Sequence, residues 1–356
     1  MSKLFEPISI RELTTRNRIW VAPMCQYSAE EQDGVPAEWH LVHYGARATG
    51  GAGLIIVEAT AVTPEGRISP WDTGIWNEEQ TEAWAYIVDF MHSQGAAAGV
   101  QLAHAGRKAS THRSWSGNGS LAPNEGGWQT VSSTYEAFEG YAAPRQLETA
   151  EVSDLVQDFA SAARRAQDAG FDLIEIHAAH GYLIHQFLSP LTNKRNDIYG
   201  GDLENRARFL LEIVAAIRAE VGEGMPVIVR FSATDYVEGG WDEVQTAQVA
   251  NWCAEAGADL FDISTGGLVA GVPIPVGPGY QVPIAEFVAS KVEEPVAVVG
   301  MITTGEQAEQ ILQRGEVDVI MIGRAELRDP MWPLRAAHEL GVSVDYWPMQ
   351  YQRGTF

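Results

Sequence analysis

The stretch from Val152 to Tyr182, VSDLVQDFASAARRAQDAGFDLIEIHAAHGY, decides the fold. Apolar residues recur at helical spacing over Val152–Ala169, and Gly170 stops the pattern. Phe171–Ala178 is then a short apolar run that reads as a buried strand. The strand ends abruptly in polar groups: His177, His180 and Tyr182 within six residues, with Gly181 between the last two. Working outward, the same alternation recurs along the chain. Strands are expected at Arg18–Pro23, Gly53–Ala59, Ala97–Ala103, Phe171–Ala178, Pro226–Ser232, Leu260–Ser264, Pro295–Gly300 and Val317–Gly323. Helical patterns fall at Glu79–Ser93, Val152–Ala169, Leu203–Val221, Val244–Ala256, Ile284–Val292, Glu306–Gln313 and Met331–Leu340. Ser153, Thr303-Thr304 and Asp242 supply helix starts, and Gly95, Gly170, Gly257, Gly315 and Gly341 supply stops. Eight strand–helix alternations with short connections predict an α/β fold, a (β/α)8 TIM barrel in a single domain over residues 1–356. A doubly wound open sheet fits less well, because no G-x-G-x-x-G follows the first strand.

Two segments lie outside the repeat. Leu4–Thr15 is expected to close the bottom of the barrel as an N-terminal cap. Residues 105–150, after the third strand, are rich in Gly, Ser, Asn, Pro and aromatics (Trp115, Trp128, Tyr135, Phe138, Tyr141), as in a lid or binding loop.

Bulk properties narrow the class. With 46% apolar residues the chain can bury a large core, and no apolar stretch is long enough to span a membrane. The start, MSKLFEP, lacks the apolar region of a signal peptide, so the cytoplasm is the expected compartment. Cys25 and Cys253 provide neither a disulfide framework nor a metal cluster. The formal charge of -23 argues against nucleic acid or anionic membranes as partners.

A β/α barrel places its chemistry at the C-terminal ends of its strands. Those ends carry Pro23-Met24-Cys25-Gln26-Tyr27, Glu58-Ala59-Thr60, Gln101 with His104 to Lys108, His177 with His180 and Tyr182, Arg230, Ser264-Thr265-Gly266-Gly267, Gly300-Met301-Ile302, and Gly323-Arg324. Two imidazoles and a phenol in six residues can hold a carbonyl oxygen and deliver a proton. The alternatives are a pair of structural histidines, or a two-histidine metal site with Glu175 or His185 as a third ligand. A Schiff-base aldolase would need a lysine inside a strand; Lys3, Lys108, Lys194 and Lys291 all fall outside the expected strands.

The runs Leu4-Phe5-Glu6-Pro7, Asn17-Arg18-Ile19, Ala22-Pro23-Met24-Cys25, His177-Ala178-Ala179-His180-Gly181-Tyr182-Leu183 and Ser189-Pro190-Leu191-Thr192-Asn193, with Arg195, Tyr199-Gly200-Gly201 and Asn205-Arg206, extend the pattern over nearly the whole chain. In them the chain resembles the Old Yellow Enzyme family of FMN-dependent ene-reductases. Cys25, the His-x-x-His pair and the tail Gln350-Tyr351-Gln352-Arg353 resemble its thermophilic-like (YqjM-like) subclass. The resemblance implies non-covalent FMN at the barrel mouth, NADPH or NADH as reductant, and a small-molecule enone as substrate. It also implies a homodimer or homotetramer, in which the tail, residues 341–356, and Arg353 reach a neighbouring site. With only two cysteines the chain differs from the iron–sulfur dienoyl-CoA reductases that share this barrel.

The resemblance also implies roles for residues. Gly300, Gly323 and Arg324 would hold the FMN phosphate, although the glycines could merely make tight turns. Gln101 and Arg230 would meet the pyrimidine end of the ring; otherwise Arg230 would be bridged to Glu58 or Glu175. Pro23, Met24, Ala59 and Thr60 would line the ring, and Cys25 would tune it unless it is an inert buried thiol. His177 and His180 would polarise the enone carbonyl, and Tyr182 would protonate Cα. Tyr27 and Lys108 are further substrate contacts, Tyr27 alternatively packing as an aromatic and Lys108 and Arg107 alternatively being solvated loop charges. A nitro-ester or nitroaromatic reductase on the same site, or a flavin-free phosphate-binding barrel, are the other functions considered.

Overall fold

A computed structural model describes residues 2–355. Eight parallel strands close into a barrel in chain order: β1 (Ile19–Val21), β2 (Leu54–Ala61), β3 (Ala97–Ala103), β4 (Leu173–Ala178), β5 (Val227–Ser232), β6 (Leu260–Ser264), β7 (Val296–Val298) and β8 (Val319–Ile322). Each lies within two residues of the bounds expected from its apolar run. The chain is therefore a (β/α)8 TIM barrel. The surrounding helices are α1 (Glu38–Thr49), α2 (Glu78–Ser93), α3 (Thr149–Asp168), α4 (Leu203–Val221), α5 (Glu243–Ala256), α6 (Val282–Ala289), α7 (Gly305–Arg314) and α8 (Trp332–Glu339).

Capping explains most boundaries. Asp242 and Thr304 accept hydrogen bonds from the backbone N–H groups of Gln245 and Gln307, which fixes the starts of α5 and α7. Gly257 and Gly315 close the same helices in the left-handed conformation. Ser153 is not a cap: α3 begins earlier, at Thr149, and its first turn is held by Glu151, whose carboxylate accepts the Glu148 N–H at 2.7 Å.

Three helices have no counterpart among the expected patterns: the short Leu183–Leu188 and Arg324–Arg328, and α1. α1 buries His40, His43, Tyr44 and Arg47, so its inner face reads as polar in sequence.

The N-terminal hairpin, Ile8–Ile10 paired antiparallel with Leu13–Thr15, closes the bottom as expected. Its Ile10 joins Trp20, Leu54, Ile56, Leu173, Ile228, Leu260, Val319 and Met321 in one buried cluster inside the barrel. The barrel is thus a packed core at this end, and its mouth lies at the other.

No helix among the described residues is long and apolar enough to cross a membrane.

Candidate functional site

Side chains alternate along a strand, so every second residue of β4, β5 and β6 faces the barrel interior. The three strands carry the same kind of inward sequence, Leu173-Glu175-His177, Ile228-Arg230-Ser232 and Leu260-Asp262-Ser264; β5 and β6 pair residue for residue, while β4 is offset by two, so that Glu175 pairs with Ile228 and His177 with Arg230. Each begins in the apolar plug, passes through a charged layer and ends in a polar layer at the mouth. All nine residues are buried.

In the charged layer, Arg230 Nε stands 2.9 Å from Asp262 Oδ2. The bridge expected to Glu58 or Glu175 is therefore made to Asp262, the paired residue on the next strand. Glu58 instead accepts from the Gln26 N–H at 2.7 Å and the Tyr44 hydroxyl at 3.1 Å, with His40 Nε2 3.2 Å away. Gln101 donates its amide N–H to Glu175 Oε1 at 2.7 Å.

Above this layer β4 ends in a tight turn. His180 at φ +56° and Gly181 at φ +73° reverse the chain. A Cβ on Gly181 would lie 2.4 Å from the Gly267 carbonyl oxygen, so only glycine fits. The Gly181 N–H is held by His185 Nδ1 at 2.9 Å, and His185 Nε2 meets Asp235 Oδ1 at 3.0 Å. Glu175 and His185, considered as third metal ligands, are both engaged elsewhere.

The turn brings the three chemical groups together. The His177 ring lies 5.3 Å from that of His180 and 5.0 Å from that of Tyr182, edge-on to both. His177 Nδ1 accepts the Ala179 N–H at 3.3 Å, so the hydrogen of its neutral ring sits on Nε2. His180 Nε2 is 2.8 Å from Ser264 Oγ. Burial, followed by the charge of Arg230, holds both imidazoles well below their ordinary range, so they are neutral at neutral pH. Burial, and then Cys25, pushes the Tyr182 phenol well up, so it keeps its proton.

Lys108 is not a solvated charge. Its ammonium donates to the carbonyl oxygens of His180 at 2.8 Å and Gly267 at 2.9 Å, and lies 5.1 Å from the Tyr182 ring centre. Burial, and then Arg107, lowers it to about 8. Arg107 is likewise buried and donates to the Leu268 and Glu136 carbonyl oxygens.

Next to the turn, Ala59, Ala103, Ala105 and Ala109 form a small apolar cluster against which Cys25, Tyr27 and Tyr182 pack. Cys25 is half-buried; burial, and then Asp72 and Glu58, raises its thiol well above the ordinary range, so it is not a thiolate nucleophile. Residues 105–150 fold against this wall, with Trp115 edge-on to Tyr27 at 5.9 Å and the Phe138 ring centre 4.7 Å from Lys108 Nζ.

On the other side of Arg230 is a cavity of about 280 Å³. Pro23, Met24, Arg230, Ser264, Gly300, Gly323 and Arg324 line it, which brings together most of the expected cofactor contacts. Arg353 lies elsewhere, in the exposed turn Met349–Gly354. Ser264 joins the two halves of the mouth, since it lines the cavity and touches His180.

The residues fit a planar ligand that ends in a phosphate. Among the described residues Arg230 meets one anion, Asp262, and no acceptor contacts its two terminal nitrogens. Arg324 is exposed at the cavity rim and has no ion-pair partner among the described residues. Gly323 leaves that wall open: a Cβ there would still be 3.7 Å from Met24 Sδ.

Sequence reasoning missed Asp262, Gln281, Tyr280 and Arg328, the last three lining the cavity. The repeat of apolar, charged and polar residues at every second position of three consecutive strands was the available signal for Asp262.

Comparison with known proteins agrees with this geometry. Residues 3–342 match the family described as NADH:flavin oxidoreductase / NADH oxidase. An NADPH dehydrogenase of Listeria welshimeri is 48% identical over 354 residues, covering 99% of both chains. An NADPH dehydrogenase of Bacillus subtilis is 47% identical over 352 residues, again covering 99% of both. Among solved structures, morphinone reductase in complex with tetrahydroNAD superposes with a TM-score of 0.79 at 30% identity, covering 97% of this chain and 92% of that one. A 2-naphthoyl-CoA reductase superposes with a TM-score of 0.87 at 27% identity, covering 95% of this chain and 52% of its own.

Proposed function

The chain belongs to the NADH:flavin oxidoreductase / NADH oxidase family, the Old Yellow Enzyme family, and is an FMN-dependent NADPH oxidoreductase; from that premise we propose that the bond it reduces is the C=C of α,β-unsaturated carbonyl compounds. The observation that carries this reading is the neutral, proton-bearing trio His177, His180 and Tyr182, set beside a cavity lined by the Arg230 guanidinium.

FMN held there would supply the hydride, drawn from NADPH, that the substrate's Cβ takes up. The chain's own residues do the rest. His177 Nε2–H and the hydrogen of His180 hold the carbonyl oxygen, which draws electron density from the alkene and stabilises the enolate that forms. His180 exchanges its Ser264 contact for the substrate oxygen. Tyr182 gives its phenolic proton to Cα and is reprotonated from solvent. Lys108 holds the backbone at His180 through its carbonyl and thereby keeps the imidazole aimed. Arg230, which lines the cavity, and Gln101 would meet the pyrimidine end of the ring, where the free face of the guanidinium would offer its donors to the reduced cofactor. Pro23 and Met24, with Ala59 and Cys25 of the neighbouring apolar cluster, would give its other walls, and Gly300, Gly323 and Arg324 would hold its phosphate end.

The test is anaerobic. Purified protein is expected to be yellow, to bleach with NADPH and to recover its colour when cyclohexenone is added, with cyclohexanone as product. Tyr182→Phe should bleach normally and recover about 10²–10³-fold more slowly. A folded, colourless protein that refuses added FMN would overturn the reading.

A further inference from the structure

The charged layer of the barrel holds two acids and one base. Glu175 on β4 and Asp262 on β6 are both fully buried, and Arg230 on β5 lies between their strands. Arg230 serves Asp262 through Nε, and Gln101 serves Glu175 through Oε1. Glu175 Oε2 and Asp262 Oδ1 receive no donor among the described residues, and each acid is near enough to act on the other. Carboxylates only accept, so a proton kept on one of these two buried acids would give the orphaned oxygen of the other a donor.

Among the described residues the surroundings offer no second cation in contact with the pair. At this level β3 contributes Gln101, and β7 and β8 contribute Ala297, Val299 and Met321. On β2, Glu58 is held by Gln26, Tyr44 and His40. His177, His180 and Lys108 stand above, and the two imidazoles are neutral. An unpaired second charge in this interior would cost several kcal/mol.

We propose that Glu175 and Asp262 retain one shared proton beneath the pyrimidine end of the cofactor site, and that this proton sets the charge the cofactor meets. The proposal rests on the flavin reading above. Asp262, against Arg230, is the ionised member; Glu175 carries the proton on Oε2 and donates it to Asp262. Burial, and then the neighbouring acid, raises Glu175 above its ordinary range, as this assignment requires. With the proton in place, Arg230, Glu175 and Asp262 sum to zero, and the free face of the guanidinium is available to a reduced ring. Loss of the proton to solvent at alkaline pH leaves a net negative charge and disfavours reduction. Glu175 is thus a positioning and charge-setting residue that acts through Gln101 and Arg230.

Two measurements on the holoenzyme test this. Infrared spectra should show a protonated-carboxyl C=O band that disappears at alkaline pH and is absent from Glu175→Gln at every pH. The flavin midpoint potential, followed from mildly acid to alkaline pH, should coincide for wild type and Glu175→Gln at the acid end. At the alkaline end wild type should fall below the variant by tenfold or more in the ratio of reduced to oxidised flavin, about 30 mV for a two-electron couple. Glutamine preserves both hydrogen bonds, so a purely structural role would give superimposable curves. That result, or the lack of a wild-type carboxyl band, overturns the proposal. Should Glu175→Gln lose flavin, Asp262→Asn and the wild-type band decide alone: a band that persists unchanged in Asp262→Asn through alkaline pH also overturns it. A colourless wild type would defeat the flavin reading instead, and the band would still report on the pair.

Discussion

Leu173 and His177 stand on the same strand, face the same interior and do opposite work. Leu173 belongs to the apolar plug that Trp20, Leu54, Ile228, Leu260 and Val319 complete. Four residues on, the interior surface is imidazole, hydroxyl and guanidinium. The plug contributes stability through burial and contains no group that titrates; the mouth gathers the titrating groups, and several of their buried atoms find no hydrogen-bond partner among the described residues. The cost of desolvating the mouth is offset by the plug and the outer helix layer. This division lets a barrel carry polar groups inside without coming apart, and it predicts that damage to either half leaves the other intact.

The largest effect should come from the mouth. Replacing His177 and His180 together by alanine removes both donors to the carbonyl oxygen. Each such donor is worth about 10²–10³-fold, so kcat/KM for an enone should fall by about 10⁴-fold or more. The protein should stay folded and yellow, because neither imidazole lines the cofactor cavity. Steady-state kinetics and the flavin spectrum read the two halves separately. Loss of the cofactor, with turnover per bound flavin preserved, would break the separation.

The next effect comes from the plug. Leu173 is closely packed: a Cβ built on Gly99 of β3 would already lie 3.1 Å from its Cδ2. Leu173→Ala opens a hole that close-packed strands cannot fill, and should cost about 2–5 kcal/mol of unfolding free energy. Denaturant unfolding measures the loss. Activity at low temperature, per folded molecule, should stay within about twofold of wild type, below the 1.4 kcal/mol that a tenfold change represents. A larger loss of kcat than of stability would mean the plug also holds the chemistry in place.

Sequence disclosed the strands better than the site. A β-branched run flanked by glycine and an amphipathic helix has few other readings, so the barrel and its open end were legible. Helix α1 was not, because His40, His43, Tyr44 and Arg47 satisfy their polar groups through partners distant in the chain, such as Glu58 and the Glu326 carbonyl. The same limit applies at the mouth. His177, His180 and Tyr182 were visible because one turn carries all three. That Arg230 faces Asp262 rather than Glu58 or Glu175 depends on the register between β5 and β6, which no local pattern encodes. Lys108 looked like a loop charge because its acceptors are backbone carbonyls 72 and 159 residues away. Local chemistry was readable; pairing across strands was not.

The smallest effect sharpens the comparison through pH. His177 and His180 are held well below the ordinary imidazole range, burial pushes His104 down to about 4, and burial, then Arg47, takes His43 to about 3. A histidine kept neutral by the fold contributes stability that is fully present above about 6.5, and it is lost as pH falls because only the unfolded chain takes up the proton. Each such group steepens the loss by up to about 1.4 kcal/mol per pH unit below that point. Thermal unfolding of wild type should therefore fall steeply between about pH 6 and 4. The His177/His180 double alanine variant should lose less stability over the same interval, because its unfolded chain has two fewer imidazoles to protonate. Leu173→Ala should shift the whole curve down without changing its slope, because it alters no titrating group. Parallel curves for wild type and the double histidine variant would mean that these two imidazoles titrate freely, and the neutral, hydrogen-donating pair on which carbonyl polarisation depends would be lost.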